Sequence, residues 1–167
     1  MSVLVRNLQT LIHVDCALLR NHFKIFRSAC TSEYVANFDV AVLCVDDAYI
    51  GELNTAFRKS LGKSGPTDIL SFSQHSILPR SSLKPIYPKD IGDIYLGVES
   101  IKREHPSEKE FYRQLLILCA HGLCHLLGFN HSTSSELRLM REEENQIFNH
   151  FFIKTGIRLF SETEIGH

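Results

Sequence analysis

The stretch HGLCHLLGFNH, residues 121–131, sets three histidines at i, i+4 and i+10, with a glycine at i+7. On a helix, side chains four apart project from one face with Cβ atoms roughly 5–6 Å apart. Two imidazoles so placed suit neighbouring ligands of one tetrahedral zinc ion, whose Zn–N bonds run about 2.0–2.1 Å. His131 cannot reach the same ion if the helix simply continues. Gly128 supplies the break, because glycine takes a left-handed backbone without steric cost and lets the chain swing back. A helix C-terminus also carries partial negative charge, which favours a cation beside it. The spacing therefore predicts a metal site on His121, His125 and His131 at the end of a buried helix.

Three protein ligands leave a fourth position open, the pattern of catalytic rather than structural zinc. Zinc in such a site lowers the pKa of bound water to about 7 and polarises a substrate oxygen. Cys124 lies between the first two histidines and, as a fourth ligand, would close the site. The simpler reading of Cys124 is a buried thiol packing as a small hydrophobe. Zinc peptidases with the H-E-x-x-H pattern use that glutamate as general base. Here the position is Gly122, which disfavours peptide hydrolysis by that route. His13, His22, His75, His105, His150 and His167 lack ligand spacing and read as structural or surface residues.

The elements that must position these groups are legible in outline. A strand near 3–8 precedes a helical pattern over about 15–30, and FDVAVLCV (38–45) is a β-branched, aromatic-rich strand. Asp46 can cap a helix through AYIGELNTAF, and RKSLGKSGPTD is a loop marked by two glycines and a proline. DILSFS (68–73) and DIYLGV (93–98) read as further strands, separated by the long, proline-punctuated QHSILPRSSLKPIYPKD. From residue 105 the pattern turns helical, with Ser107 and Glu110 as a capping-box signature. That helix is apolar nearly all round through Leu115–Ala120, as a buried helix must be. A last helix starts near Thr133 with Glu136 three residues on. Its apolar stripe is Leu137, Met140, Ile147, Phe148, Phe151 and Phe152, and Lys154 and Gly156 suit its end. Strands and helices mixed without strict alternation predict an α+β fold.

At 167 residues the chain has the size of one domain, 1–167, around one core. Its 44% hydrophobic and 22% charged residues are ordinary for a globular protein. No apolar run approaches the roughly 20 residues needed to cross a bilayer, so no membrane partner is expected. Five cysteines without a C-x-x-C pair or secretory signal predict a reducing intracellular compartment. Residues 1–14 hold one arginine and no acid, a faint transit-peptide pattern that also reads as a first strand entering a helix. The net charge of −1 gives no global attraction to nucleic acid. Residues 58–103, however, carry 8 basic and 4 acidic side chains between two acidic flanks. That basic middle is a candidate for phosphate-backbone contact, its plainer reading being a solvated loop.

Taken together, these segments resemble the YbeY family of metal-dependent endoribonucleases. The family hallmark, H-G-x-x-H-L-x-G-[YF]-D-H, is matched by residues 121–131 at every position except Asn130. LNTAFR (53–58), PTDILSF (66–72) and GDIYLG (92–97) match further family segments in order. The resemblance implies a zincin-like α+β single domain, with a small mixed sheet packed against helices. It implies one zinc ion per chain on His121, His125 and His131. It also implies cleavage of single-stranded regions of ribosomal RNA during maturation, with contact to the small ribosomal subunit in its assembly and quality control. Bacterial relatives are cytoplasmic and eukaryotic ones tend towards mitochondria, with the nucleus left open. Arg58 matches the family's functional arginine, although its local sequence alone reads as a surface residue beside a loop. A guanidinium can hold a phosphodiester bidentately and stabilise charge developing on it. One departure stands out: Asn130 replaces the family aspartate before the third histidine, keeping size and hydrogen bonding but losing charge. Two other readings share these residues. One is a different zincin-like metal hydrolase, and the other is a ribosome-assembly factor whose metal is chiefly structural.

Overall fold

A computed structural model describes residues 2–30, 38–74 and 90–160. β1 (Val3–Asn7) leads into α1 (Cys16–Ala29), whose first turn is capped by the Asp15 carboxylate accepting from the Leu18 N–H at 2.9 Å. β2 (Asp39–Val45) leads into α2 (Asp47–Arg58), capped in the same way by Asp46. A single 3-10 turn (Lys59–Leu61) then ends at Gly62, and β3 (Ile69–Ser73) and β4 (Asp90–Gly97) follow. Three helices complete the described chain: α3 (Val98–Glu104), α4 (Glu108–Leu126) and α5 (Ser134–Thr155).

The four strands form one mixed sheet in the order β1-β2-β4-β3. β1 and β4 run parallel to β2, and β3 runs antiparallel to β4 at an edge. Period-2 alternation sorts the side chains onto two faces. Val5, Val42, Cys44, Ile94 and Ile69 face the main core, built with α1, α4 and α5. Leu43, Tyr95, Leu70 and Phe72 face the other way and pack with Ile50 and Leu53 of α2. The expected α+β architecture with a small mixed sheet is what forms.

Several local expectations shift. β4 starts at Asp90, and Val98 opens α3 where the end of a strand was expected. α3 buries only Val98 and Ile101, a single i, i+3 pair, too short a repeat to announce a helix. Ser107 caps α4 by accepting from the Glu110 N–H, but the Glu110 carboxylate turns to Arg113 at 3.3 Å. The reciprocal capping box is completed instead at Thr133 and Glu136. Phe152 leaves the apolar stripe of α5: it is exposed, with the Arg158 guanidinium 4.3 Å from its ring centre. Most of the long segment between β3 and β4, including Arg80, Lys84 and Lys89 of the basic middle, lies outside the described residues, as do His75 and His167.

Candidate metal centre

α4 ends where the hallmark sequence requires it. The N–H groups of Leu127, Gly128 and Phe129 donate to the carbonyls of Leu123, His125 and Cys124, each at 3.0 Å. Gly128 sits at φ +89°, the left-handed region where a side chain would be strained. The chain reverses there and returns His131 to the helix face that carries His121 and His125. The ligand-competent atoms of the three lie within 4.8 Å of one another. Nε2 of His121 and Nε2 of His125 are 3.1 Å apart.

That distance is informative. In a tetrahedral site with Zn–N bonds of about 2.0–2.1 Å, neighbouring ligand nitrogens stand about 3.3–3.4 Å apart. Both rings also present the correct nitrogen. His125 Nδ1 donates to the Phe129 carbonyl at 3.1 Å, and His121 Nδ1 lies 2.7 Å from the Glu144 carboxylate. With Nδ1 engaged, the Nε2 lone pairs point inward, where two of them repel unless a cation lies between. The residues present fit a divalent ion. His131 is exposed, so the third ligand closes the cluster from the solvent side.

Burial, reinforced by the neighbouring His121 and His131, lowers the His125 pKa to about 4. The ring is therefore neutral at pH 7, the form that binds metal. The unfolded chain takes up this proton near 6.5 and the folded chain only near 4. This contribution to stability is thus complete above pH 6.5 and lost as pH falls towards 4. Thermal melts of metal-free protein should show a midpoint that drops across that window, and a flat profile would contradict the buried neutral ring.

Glu144 is the residue at this cluster that the sequence reading does not single out. It stands four residues after Met140 and four before Phe148, on the buried stripe of α5, where an acid is out of place. That misfit was the available signal. By accepting from His121 Nδ1 it orients the ring and raises its basicity as a ligand. Glu144→Gln should lower metal affinity by about 10- to 100-fold with little change in fold, measured by competition with a metallochromic chelator.

The other expectations about this stretch resolve by packing. Cys124 is fully buried, its thiol pushed up by burial, and it stands outside the ligand cluster. A Cβ at Gly122 would lie 3.0–3.1 Å from Ile94 and Ile69, so this position faces the sheet and has no room for a glutamate. The Asn130 side-chain oxygen accepts from the His131 N–H at 2.9 Å, an interaction that aspartate would make equally. His22 bonds to the Tyr112 hydroxyl and His150 to Ser28, away from the cluster.

Arg58 is the last residue of α2 and half-buried. Among the described residues its side chain makes no hydrogen bond or ion pair, so the structure does not join it to the histidines. The segments around it are nonetheless locked together. Asn54 donates to the Gly65 carbonyl at 2.9 Å, and the Gly97 N–H donates to the Asp68 carbonyl at 2.8 Å. A Cβ at Gly97 would lie 2.1 Å from the Thr67 carbonyl oxygen. LNTAFR, PTDILSF and GDIYLG thus form one contiguous framework on the α2 side of the edge strand. β3 joins this framework to the metal helix, with the Ser73 hydroxyl 3.5 Å from the Leu126 carbonyl.

An α+β scaffold carrying a three-histidine cluster with a carboxylate behind one ring defines a candidate metal-binding protein. A family model described as Endoribonuclease YbeY matches residues 5–152. The chain belongs to the YbeY endoribonuclease family. Human Endoribonuclease YbeY is 36% identical over 162 residues, covering 95% of this chain and 93% of the human protein. The Pelotomaculum thermopropionicum protein of the same name is 32% identical over 149 residues, covering 88% and 95%. The solution structure of TM1509 from Thermotoga maritima matches 96% of this chain and 97% of its own, with a TM-score of 0.50 and 19% identity. That likeness concerns the fold alone.

Proposed function

We propose that this chain is a zinc-dependent endoribonuclease that cleaves single-stranded regions of ribosomal RNA during maturation and acts in small-subunit assembly and quality control. Residues 1–167 work as one zincin-like domain. One observation carries the metal part of this reading: two Nε2 atoms 3.1 Å apart, each held inward by a partner on its Nδ1. The relatives named as endoribonucleases carry the RNA part. His121, His125 and His131 hold the ion, and bound zinc supplies Lewis acidity and an acidified water at neutral pH. Glu144 orients His121. Arg58, whose side chain has no partner among the described residues, holds the scissile phosphate and stabilises its developing charge. Five free cysteines suit a reducing compartment, the mitochondrial matrix in a eukaryote or the cytoplasm in a bacterium. No described helix is long and apolar enough to cross a membrane.

The test is cleavage of structured ribosomal RNA by nuclease-free protein, with zinc removed by chelation and then restored. Arg58→Ala should lower kcat about 100-fold while metal content and melting temperature stay unchanged. Unaltered cleavage by Arg58→Ala would remove the arginine from the site, and zinc-independent cleavage would remove the metal from the reaction.

A further inference from the structure

The residue before Arg58 is Phe57, a phenylalanine 65% exposed to solvent. Burial does not explain its presence. One side of its ring rests on Phe72 of the edge strand, with centroids 4.8 Å apart and planes tilted 56°. Phe72 in turn packs edge-on against Tyr95 at 5.7 Å, so its ring is held from behind. Phe57 is therefore a pre-ordered aromatic surface with its remaining area turned to water. Along its own segment the charge has one sign, although Asp93 pairs with Phe72 across the sheet. Between Glu52 and Asp68 the chain carries Arg58, Lys59 and Lys63 and no acid.

An aromatic face beside cations is the combination that binds unpaired nucleotides, the base stacking on the ring while the cations follow the phosphates. A double helix cannot use such a surface, because its bases are already stacked. Tyr49 supplies an internal contrast. It is also exposed, at 45%, and stacks on Tyr95 at 6.1 Å, but it shares its end of α2 with Asp46, Asp47 and Glu52. Asp46 and Glu52 disfavour a phosphate there, Asp47 being paired with Arg103.

We propose that Phe57 is a base-stacking residue that holds an unpaired nucleotide of the RNA next to the phosphate gripped by Arg58. This proposal rests on the endoribonuclease reading and adds to it a physical source of single-strand preference. Phe57 is a positioning residue and takes no part in bond making.

The test is binding of a short single-stranded oligoribonucleotide to the full chain in chelator, with each position made abasic in turn. Wild-type protein should lose on the order of tenfold in affinity when the stacked base is removed. Phe57→Leu keeps an apolar contact with Phe72 but has no aromatic face. It should bind the intact RNA about tenfold more weakly and be indifferent to the abasic position, while Phe57→Tyr and Tyr49→Leu behave as wild type. In cleavage assays the Phe57→Leu defect should appear in KM. The stacking proposal is overturned by wild-type RNA binding in Phe57→Leu, which would leave the exposed ring to a protein partner. Equal losses on intact and abasic RNA, or an equal loss in Tyr49→Leu, overturn it as well. RNA that wild-type protein neither binds nor cleaves would instead sink the underlying endoribonuclease reading.

Discussion

Alanine at His125 is expected to cut RNA cleavage by at least about 100-fold and to abolish stoichiometric metal binding, while leaving the fold intact. Three features of this ring set the expectation. Its Nε2 lies 3.1 Å from that of His121, its Nδ1 donates to the Phe129 carbonyl, and it is part-buried where His131 is exposed. Removing it leaves two ligands, one of them exposed, and a tetrahedral site held by two imidazoles is weak. Ala is also a better helix former than His, so the helix itself gains slightly. Two stability readouts separate this from simple unfolding. Zinc should raise the melting temperature of wild-type protein, by about 2.7 kcal/mol of stability at a hundredfold excess over Kd, and leave His125→Ala unmoved. Without metal, the variant should lose less stability than wild type between pH 6.5 and 4, because the ring whose pKa is about 4 is gone. A variant that still binds one zinc per chain would refute the ligand assignment.

The largest expected effect on stability is at Gly92. This residue lies at φ +128°, opposite Ser73 and beside the register shift between Asp39 and Val40. A Cβ there would stand 2.1 Å from the Phe72 carbonyl oxygen and 3.0 Å from Leu126 of the metal helix. The first contact is with backbone, which cannot rotate away, so β3 would have to part from β4 locally. A strained φ costs about 1–3 kcal/mol, and the broken pairing adds to it, giving about 4 kcal/mol for Gly92→Ala. Against a typical total of about 5–15 kcal/mol, that is enough to leave the variant marginal at physiological temperature. Denaturant unfolding followed by circular dichroism measures it directly. A loss under about 1 kcal/mol would show that the bulge relaxes freely. Because Leu126 belongs to the helix that bears the histidines, weakened metal binding should accompany the lost stability.

Sequence and structure agree most closely where the relevant contacts are local. The caps at Asp46, Ser107 and Thr133 act on N–H groups three residues away, and those three helices start where these residues stand. Their side chains reach no further than the turn they close. α3 was invisible for the opposite reason. With two buried residues in seven, its helicity depends on docking against its neighbours rather than on a repeat within itself. Phe152 was misjudged for a related reason. Adjacent Phe151 is fully buried against Phe26 of α1, so Phe152, about 100° further round the helix, turns to the edge of the contact. Gly122 offers no base, and a Cβ there would already crowd Ile69 and Ile94.

By itself the sequence pointed to the histidine triad, the turn at Gly128 that gathers it, and most of the strands and helices. Each depends on residues within about ten positions of one another. Tertiary structure alone decided the rest. Glu144 reaches His121 across 23 residues because α5 folds back along α4, and Phe57 finds Phe72 because α2 covers the far face of the sheet. The glycines of GDIYLG became obligatory only once β4 was inserted between β2 and β3, bringing Thr67 and Phe72 carbonyls onto their Cα atoms. The physical cause is the same in every case. Capping and periodicity are properties of one segment, whereas strand order and layer packing arise from many weak contacts between distant segments, none of which is written at either end alone.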